Sequence, residues 1–302
     1  MKQYLPNSLR ALCLSLAVLL SLPVLALEVE VDGINYELIA TANEAKVIAR
    51  KHGKYAREIA IPETVEHNGI EYTVTTIKNG AFSGCSDLLS VVIPNTVTSI
   101  EGWAFYYCTS LFSVIIPNSV TRIEDETFRG CSAMTSIDIP NSVTTIGRAA
   151  FMNCDGLLSV VIPNSVTHIM RNAFYGCTAL RSLVLGTSVT EILTEAFADC
   201  SKLTDIYCYA DSVPNANSHT FGKDIISHAN LFVPESLVDT YKSTAPWSSF
   251  SKIMGLLDLQ KDKCTPPLIR YSNGRLLLSC HTWNCHYSYG SAERYHCHHQ
   301  VR

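Results

Sequence analysis

Charge is scarce in this chain. Asp, Glu, Lys and Arg make up 17% of 302 residues, and the formal balance is only −4. A nucleic-acid partner wants a basic face, and no run of like charge offers a polybasic contact with a membrane. Both partner classes are set aside. Catalytic signatures are missing too: no phosphate loop, no His-Glu-x-x-His, no Gly-x-Ser-x-Gly and no EF-hand spacing. Asp and Glu fall singly at variable positions, so no carboxylate pair is set up for acid–base work. The expectation is a non-enzyme without a cofactor. Long apolar runs are absent except at the N-terminus. There Lys2 and Arg10 flank "ALCLSLAVLLSLPVLA", which ends on the cleavage-like Val24-Leu25-Ala26. Residues 1–26 read as a secretory signal peptide, too short for a retained membrane helix. Cys13 lacks the small preceding residue that lipidation wants. The mature chain is expected to start near Leu27, outside the cytosol and with no membrane span.

What the chain does have is a period. Phe recurs at 82, 105, 128, 151, 174 and 197, and Cys at 85, 108, 131, 154, 177 and 200, always 23 residues apart. Between them run "VVIPNTVTSI", "VIIPNSVTRI", "IDIPNSVTTI", "VVIPNSVTHI" and "LVLGTSVTEI". A constant step without insertions means equal units stacked on one axis, a solenoid. In each unit the β-branched run before Pro reads as a strand. Pro removes a backbone donor and ends the pairing, Asn makes the turn, and a second short extended segment follows. Leu88, Val91, Ile93, Val97 and Ile100, with their 23-residue equivalents, are the inward columns, joined by Phe and Cys. The Asn95, Asn118, Asn141 and Asn164 ladder is turn chemistry. One unit buries too little to offset its own ordering, so stability must come from contacts between turns.

Both ends need covering. Residues 27–61 alternate like an antiparallel β cap. The repeat region spans 62–209, with a longer first turn around the hairpin signal Asn68-Gly69. Residues 210–255 form the C-terminal cap: a strand at Leu231–Val233, a short helix carrying Leu237 and Tyr241, then Trp247 and Phe250 closing the core. Residues 256–302 are a Cys/His-rich tail, read as a truncated or disordered module with a possible frame shift after Cys280.

The unit "IPNSVTxIxxxAFxxCxxLxSVxIP" resembles the BspA-like class of bacterial leucine-rich repeats over about residues 62–255. The opening "VEVDGINYEL" and the ending "VPESLVDTYKSTAPWSSFSKI" resemble the caps of such proteins. The resemblance implies a curved β-rich solenoid at the envelope or outer surface of a Gram-negative anaerobe. It also implies attachment, with a host matrix protein, a glycan or another bacterial surface protein as partner.

The periodic cysteines leave two readings, a column of buried thiols or some bridged pairs. Stacked strands lie about 4.8 Å apart, within reach of a disulfide. Free Cys also packs as a small hydrophobe. For ligand binding, the outward strand positions Leu89, Phe112, Ile115, Leu158, Val161, Arg181, Val184 and Tyr207 make an apolar face, and such faces signal contact. Their β-branched content also suits strands as such. Trp103, Tyr106, Tyr107 and Tyr175 add aromatics at the turns, as contact anchors or as packing between turns. His168 reads as surface. In the tail, Cys280, Cys285, His286 and Cys297 are weak candidates for zinc, without the spacing of a standard finger. The leading expectation is a monomeric, exported adhesion module that binds protein or glycan. A purely structural or remnant envelope protein, and metal binding through the tail, stand as alternatives.

Overall fold

The structure, a computed structural model, describes residues 26–256. It adds the backbone of four strands at Leu268–Ser272, Arg275–Cys280, Trp283–Tyr287 and Tyr295–His299. The signal segment lies outside the described residues.

The solenoid is built on a stack of rings. Phe82, Phe105, Phe128, Phe151, Phe174, Phe197 and Phe221 lie with centroids 5.0–5.5 Å apart and planes within 12°. Tyr55 closes one end at 4.8 Å, and Trp247 and Phe250 meet Phe221 edge-on at the other. All the inward columns are buried. The Phe corner also carries a backbone ladder: Phe105 N–H donates to Thr127 O, Phe128 to Ala150, and Phe151 to Ala173, at 2.7–2.8 Å.

The six periodic cysteines are free and buried, as is Cys208, so the bridged reading is overturned. Five of these thiols share one task instead. Cys108, Cys131, Cys154, Cys177 and Cys200 donate to the carbonyl of the Phe 26 residues earlier, at 3.0–3.2 Å. That carbonyl also accepts the N–H of the Cys in its own turn. A buried C=O has two lone pairs to satisfy, and the thiol supplies the second donor. The Ser and Thr of "PNSVT" work the same way. Ser119, Ser142 and Ser165 donate to Val97, Val120 and Val143 carbonyls, and Thr144, Thr167 and Thr190 to the Thr carbonyl one turn back.

The strands pair in parallel, as stacked turns require. Pairing starts before the first full repeat. Glu44–Val47 lies along Ile70–Ile77, and Arg57–Ala60 lies along Leu88–Val92. Leu27–Val31 and Ile34–Ile39 form the outer antiparallel hairpin. At Asn68-Gly69 both residues have positive φ, 53° and 76°, which is the hairpin turn the dipeptide signals. At the far end Asn230–Val233 and Lys252–Gly255 extend the sheet, with helices at Lys223–His228 and Val238–Ser243 beside it. Trp247 Nε1 donates to Pro214 O at 2.9 Å, which gives its buried N–H a partner.

The main sheet is broken. Arg57–Ala60, Leu88–Val92 and Ser113–Ile115 form one piece, and Ser159–Ile162 through Lys252–Gly255 form another. Residues 136–139, "SIDI", belong to neither. At the outward position where the other turns hold Val92, Ile115, Val161, Val184 and Tyr207, this one holds Asp138. Asp disfavours strands because its carboxylate competes for nearby backbone donors.

Each corner also holds two left-handed residues, at the positions two before and two after Phe. The first series is Gly80, Trp103, Glu126, Ala149, Asn172 and Glu195; the second is Gly84, Tyr107, Gly130, Asn153, Gly176 and Asp199.

Candidate binding surfaces

The outward strand face splits in two. On the first turns it is open and apolar. Val92, Phe112 and Ile115 are 52%, 50% and 63% exposed, and Leu89 lies beside them. Strand pairing sets Val92 against Ile115 and Ser90 against Ser113, so these side chains form one patch across two adjacent strands. Asp138 follows at the next turn, also exposed.

On the later turns the face differs. Leu158 and Val161 are half-buried, and Arg181 is exposed. Val184 is only 6% exposed. Its expected place on a ligand face is therefore corrected: it offers almost no surface. Tyr207 is half-buried, its ring stacked on Phe232 at 4.8 Å with planes 8° apart. Ser159, on the same outward side, is buried as well. Of the eight expected residues, Leu89, Phe112 and Ile115 come together as an open apolar surface, and Val92 joins them.

The turn aromatics divide similarly. Tyr106 packs edge-on to Tyr107 at 4.6 Å, under the Arg129 guanidinium at 5.6 Å from its centroid. Trp103 and Tyr107 are exposed. His168 stands at the surface, 3.9 Å from Glu191. One buried carboxylate escaped the sequence reading. Glu126 binds Arg129 Nη1 and Arg148 Nη2, each at 2.9 Å. Two guanidinium groups satisfy that acid as a structural knot. A Glu and two Arg scattered among variable positions carried no signal of it.

Among the described residues no group of three or more His, Cys, Asp or Glu is placed to hold a metal ion. The candidates Cys280, Cys285, His286 and Cys297 fall in the tail, where backbone register sets Cys285 opposite Cys297 and His286 opposite His296. Their side chains lie outside the described residues. Among those residues, no helix is long and apolar enough to cross a membrane.

The geometry defines a class: a parallel-stacked solenoid of short leucine-rich repeats with a ring column at its core. The BspA type leucine-rich repeat region matches in six copies, over residues 62–177 and 121–244. The chain belongs to that family. The family is one of repeat proteins and is not known for enzymes. A leucine-rich repeat protein from Bacteroides ovatus is 26% identical, with a TM-score of 0.60; the match covers 75% of this chain and 61% of that one. This chain thus spans about three fifths of that protein. A leucine-rich cell surface protein from Faecalibacterium prausnitzii is 26% identical, covering 76% and 72%, with a TM-score of 0.52. The leucine-rich repeat protein of T. pallidum shares the fold at 24% identity and a TM-score of 0.58, covering 72% and 96%. No curated protein matches.

Proposed function

We propose that this chain is an exported cell-surface recognition module that attaches to a protein partner through the outer sheet face of its first turns. The observation that carries the reading is the patch of Leu89, Val92, Phe112 and Ile115. It consists of large apolar side chains held in register on paired strands and left open to solvent. Exposed apolar surface of this kind marks contact, and aromatic residues within it anchor interfaces. The signal-like N-terminus and the similarity to a Faecalibacterium prausnitzii protein described as a cell surface protein support the location.

The test is a double variant, Phe112→Ser with Ile115→Ser, made in the full chain. Both side chains point away from the core, so the thermal transition should stay put. Capture of partner protein from host matrix or bacterial surface extracts should fall with it. Equal capture by a folded double variant removes this face from consideration.

A further inference from the structure

A concavity lies away from the sheet, along the corners formed by the Phe-x-x-Cys turns. It is a shallow trough of about 520 Å³ that crosses five consecutive turns, from Tyr107 to Asp199. The ring stack of the same turns advances 5.0–5.3 Å per step.

Its floor is made by an alternation along the second left-handed column: Tyr107, Gly130, Asn153, Gly176, Asp199. The large residues lean over the small ones. A Cβ on Gly130 would stand 3.0 Å from the Tyr107 ring, and one on Gly176 would stand 2.5 Å from Asn153 Oδ1. The glycines therefore keep the trough open where the ring and the amide lie across it. Tyr107 is 40% exposed at one end. Towards the other end stands Tyr175, whose phenol is pushed up in pKa chiefly by the nearby Asp199 carboxylate. A parallel row of hydroxyls and one carboxylate, Thr109, Ser132, Asp155 and Thr178, forms the wall.

The chemistry of this lining is narrow. Amide and hydroxyl groups both give and take hydrogen bonds and the carboxylates accept them, at close spacing, and two tyrosines offer aromatic surface along the trough. No Lys or Arg lines the trough. Arg is the residue for carboxylate, sulfate and phosphate groups, and two carboxylates stand in its place. An anionic ligand is disfavoured, and no aliphatic side chain lines the trough to seat the apolar face of a protein helix or strand. A neutral sugar chain fits each feature. Its hydroxyls match the mixed donors and acceptors, its C–H faces stack on tyrosine, and its extended repeat is close to one residue per turn of the solenoid. The geometry points to this corner trough as a binding site for an extended neutral oligosaccharide, separate from the apolar patch of the sheet.

The experiment is calorimetric titration of the full chain with cellopentaose, xylopentaose and mannopentaose, with hyaluronan and heparin fragments as acidic probes. At least one neutral pentasaccharide should bind, and the acidic probes should not. Tyr107→Ala and Asn153→Ala should each weaken that binding about tenfold, an order consistent with losing a stacking face or a buried-edge hydrogen bond. Both sites have left-handed backbone, so Asp155→Asn and Thr178→Val, at exposed positions without that constraint, provide second variants that fold regardless. Phe112→Ser with Ile115→Ser should leave sugar binding unchanged, which separates this site from the protein-binding face. Tighter binding of the acidic probes, no binding of any neutral pentasaccharide, or undiminished binding by all four trough variants overturns the assignment.

Discussion

The Phe corner and the strand face of the same repeats obey the same 23-residue step, yet only one is continuous. Seven rings stack from Phe82 to Phe221 without a gap, and the backbone ladder beside them is unbroken. The strand ladder stops at Ser113–Ile115 and restarts at Ser159–Ile162. A second ladder, of the two-residue strands that follow the Pro-Asn turns, is also interrupted, between Ser99–Ile100 and Arg122–Ile123. Register along the solenoid is therefore carried by the buried corner, and the strand pairing follows where the outward residues permit it. A repeat array can lose sheet hydrogen bonds in one turn because side-chain contacts on either side hold the turn in place.

The comparison breaks most severely at the corner itself. Phe128→Ala removes a fully buried ring from the middle of the stack. It should cost about 3–5 kcal/mol, the usual range for such truncation in a core. The urea midpoint should fall accordingly. The two halves of the array should then unfold at different denaturant concentrations, because their shared interface is the damaged element. A single unshifted transition would mean that the strands, and not the corner, hold the register.

The corner also sets a pH limit. Burial pushes the Cys108 and Cys154 thiols up to about 12, from an ordinary 9.0. Burial likewise raises Cys131 and Cys177. In the unfolded chain these groups lose their protons first as pH rises. The native state is then disfavoured progressively from about pH 9 towards pH 12, and the thiols contribute no pH dependence below that window. Buried Tyr55 and Tyr241 act in the same direction. Denaturant midpoints at pH 7 and pH 10.5 should differ clearly, and Cys108→Ala with Cys154→Ala should flatten the difference. An identical pH slope in the double variant would assign the effect to the remaining buried thiols and tyrosines.

Between these lies the left-handed column. Gly130→Ala places a side chain at φ 76°, where L-residues pay about 1–2 kcal/mol, and sets its Cβ 3.0 Å from the Tyr107 ring. Loss of stability by that amount is expected, with the native fold retained. Tyr107→Ala combined with Gly130→Ala should recover the steric part alone, which a double-variant cycle reads directly.

How much of this was visible beforehand follows from where each residue points. The inward columns were legible because every turn repeats the same burial, so Leu88, Val91, Ile93 and their equivalents mark themselves by position. The thiols' hydrogen bonds to Phe carbonyls were not, since a bridge and a buried thiol use the same Cys spacing. The left-handed pairs stayed hidden because Trp103, Glu126 and Ala149 occupy positions that glycine usually announces. The outward face was half legible. Phe112 and Ile115 are open as their pattern implies, whereas the burial of Val184 depends on surroundings in the folded molecule that a strand pattern does not carry.

The smallest expected effect is the most direct probe of why the two ladders differ. Asp138 sits in an outward column whose other members are Val92, Ile115, Val161, Val184 and Tyr207. Flanking turns supply the same partners on both sides, and the inward neighbours Ile137 and Ile139 are already buried. If the carboxylate alone denies this segment strand pairing, Asp138→Val should join the two pieces of the sheet. The gain is a fraction of the roughly 1 kcal/mol range of strand preference. Hydrogen exchange gives the sharper reading, with new protection at 136–139 and at the facing edges Ser113–Ile115 and Ser159–Ile162. Protection that stays absent would place the cause in the curvature of the corner stack. The break would then belong to the shape of the solenoid, not to one side chain.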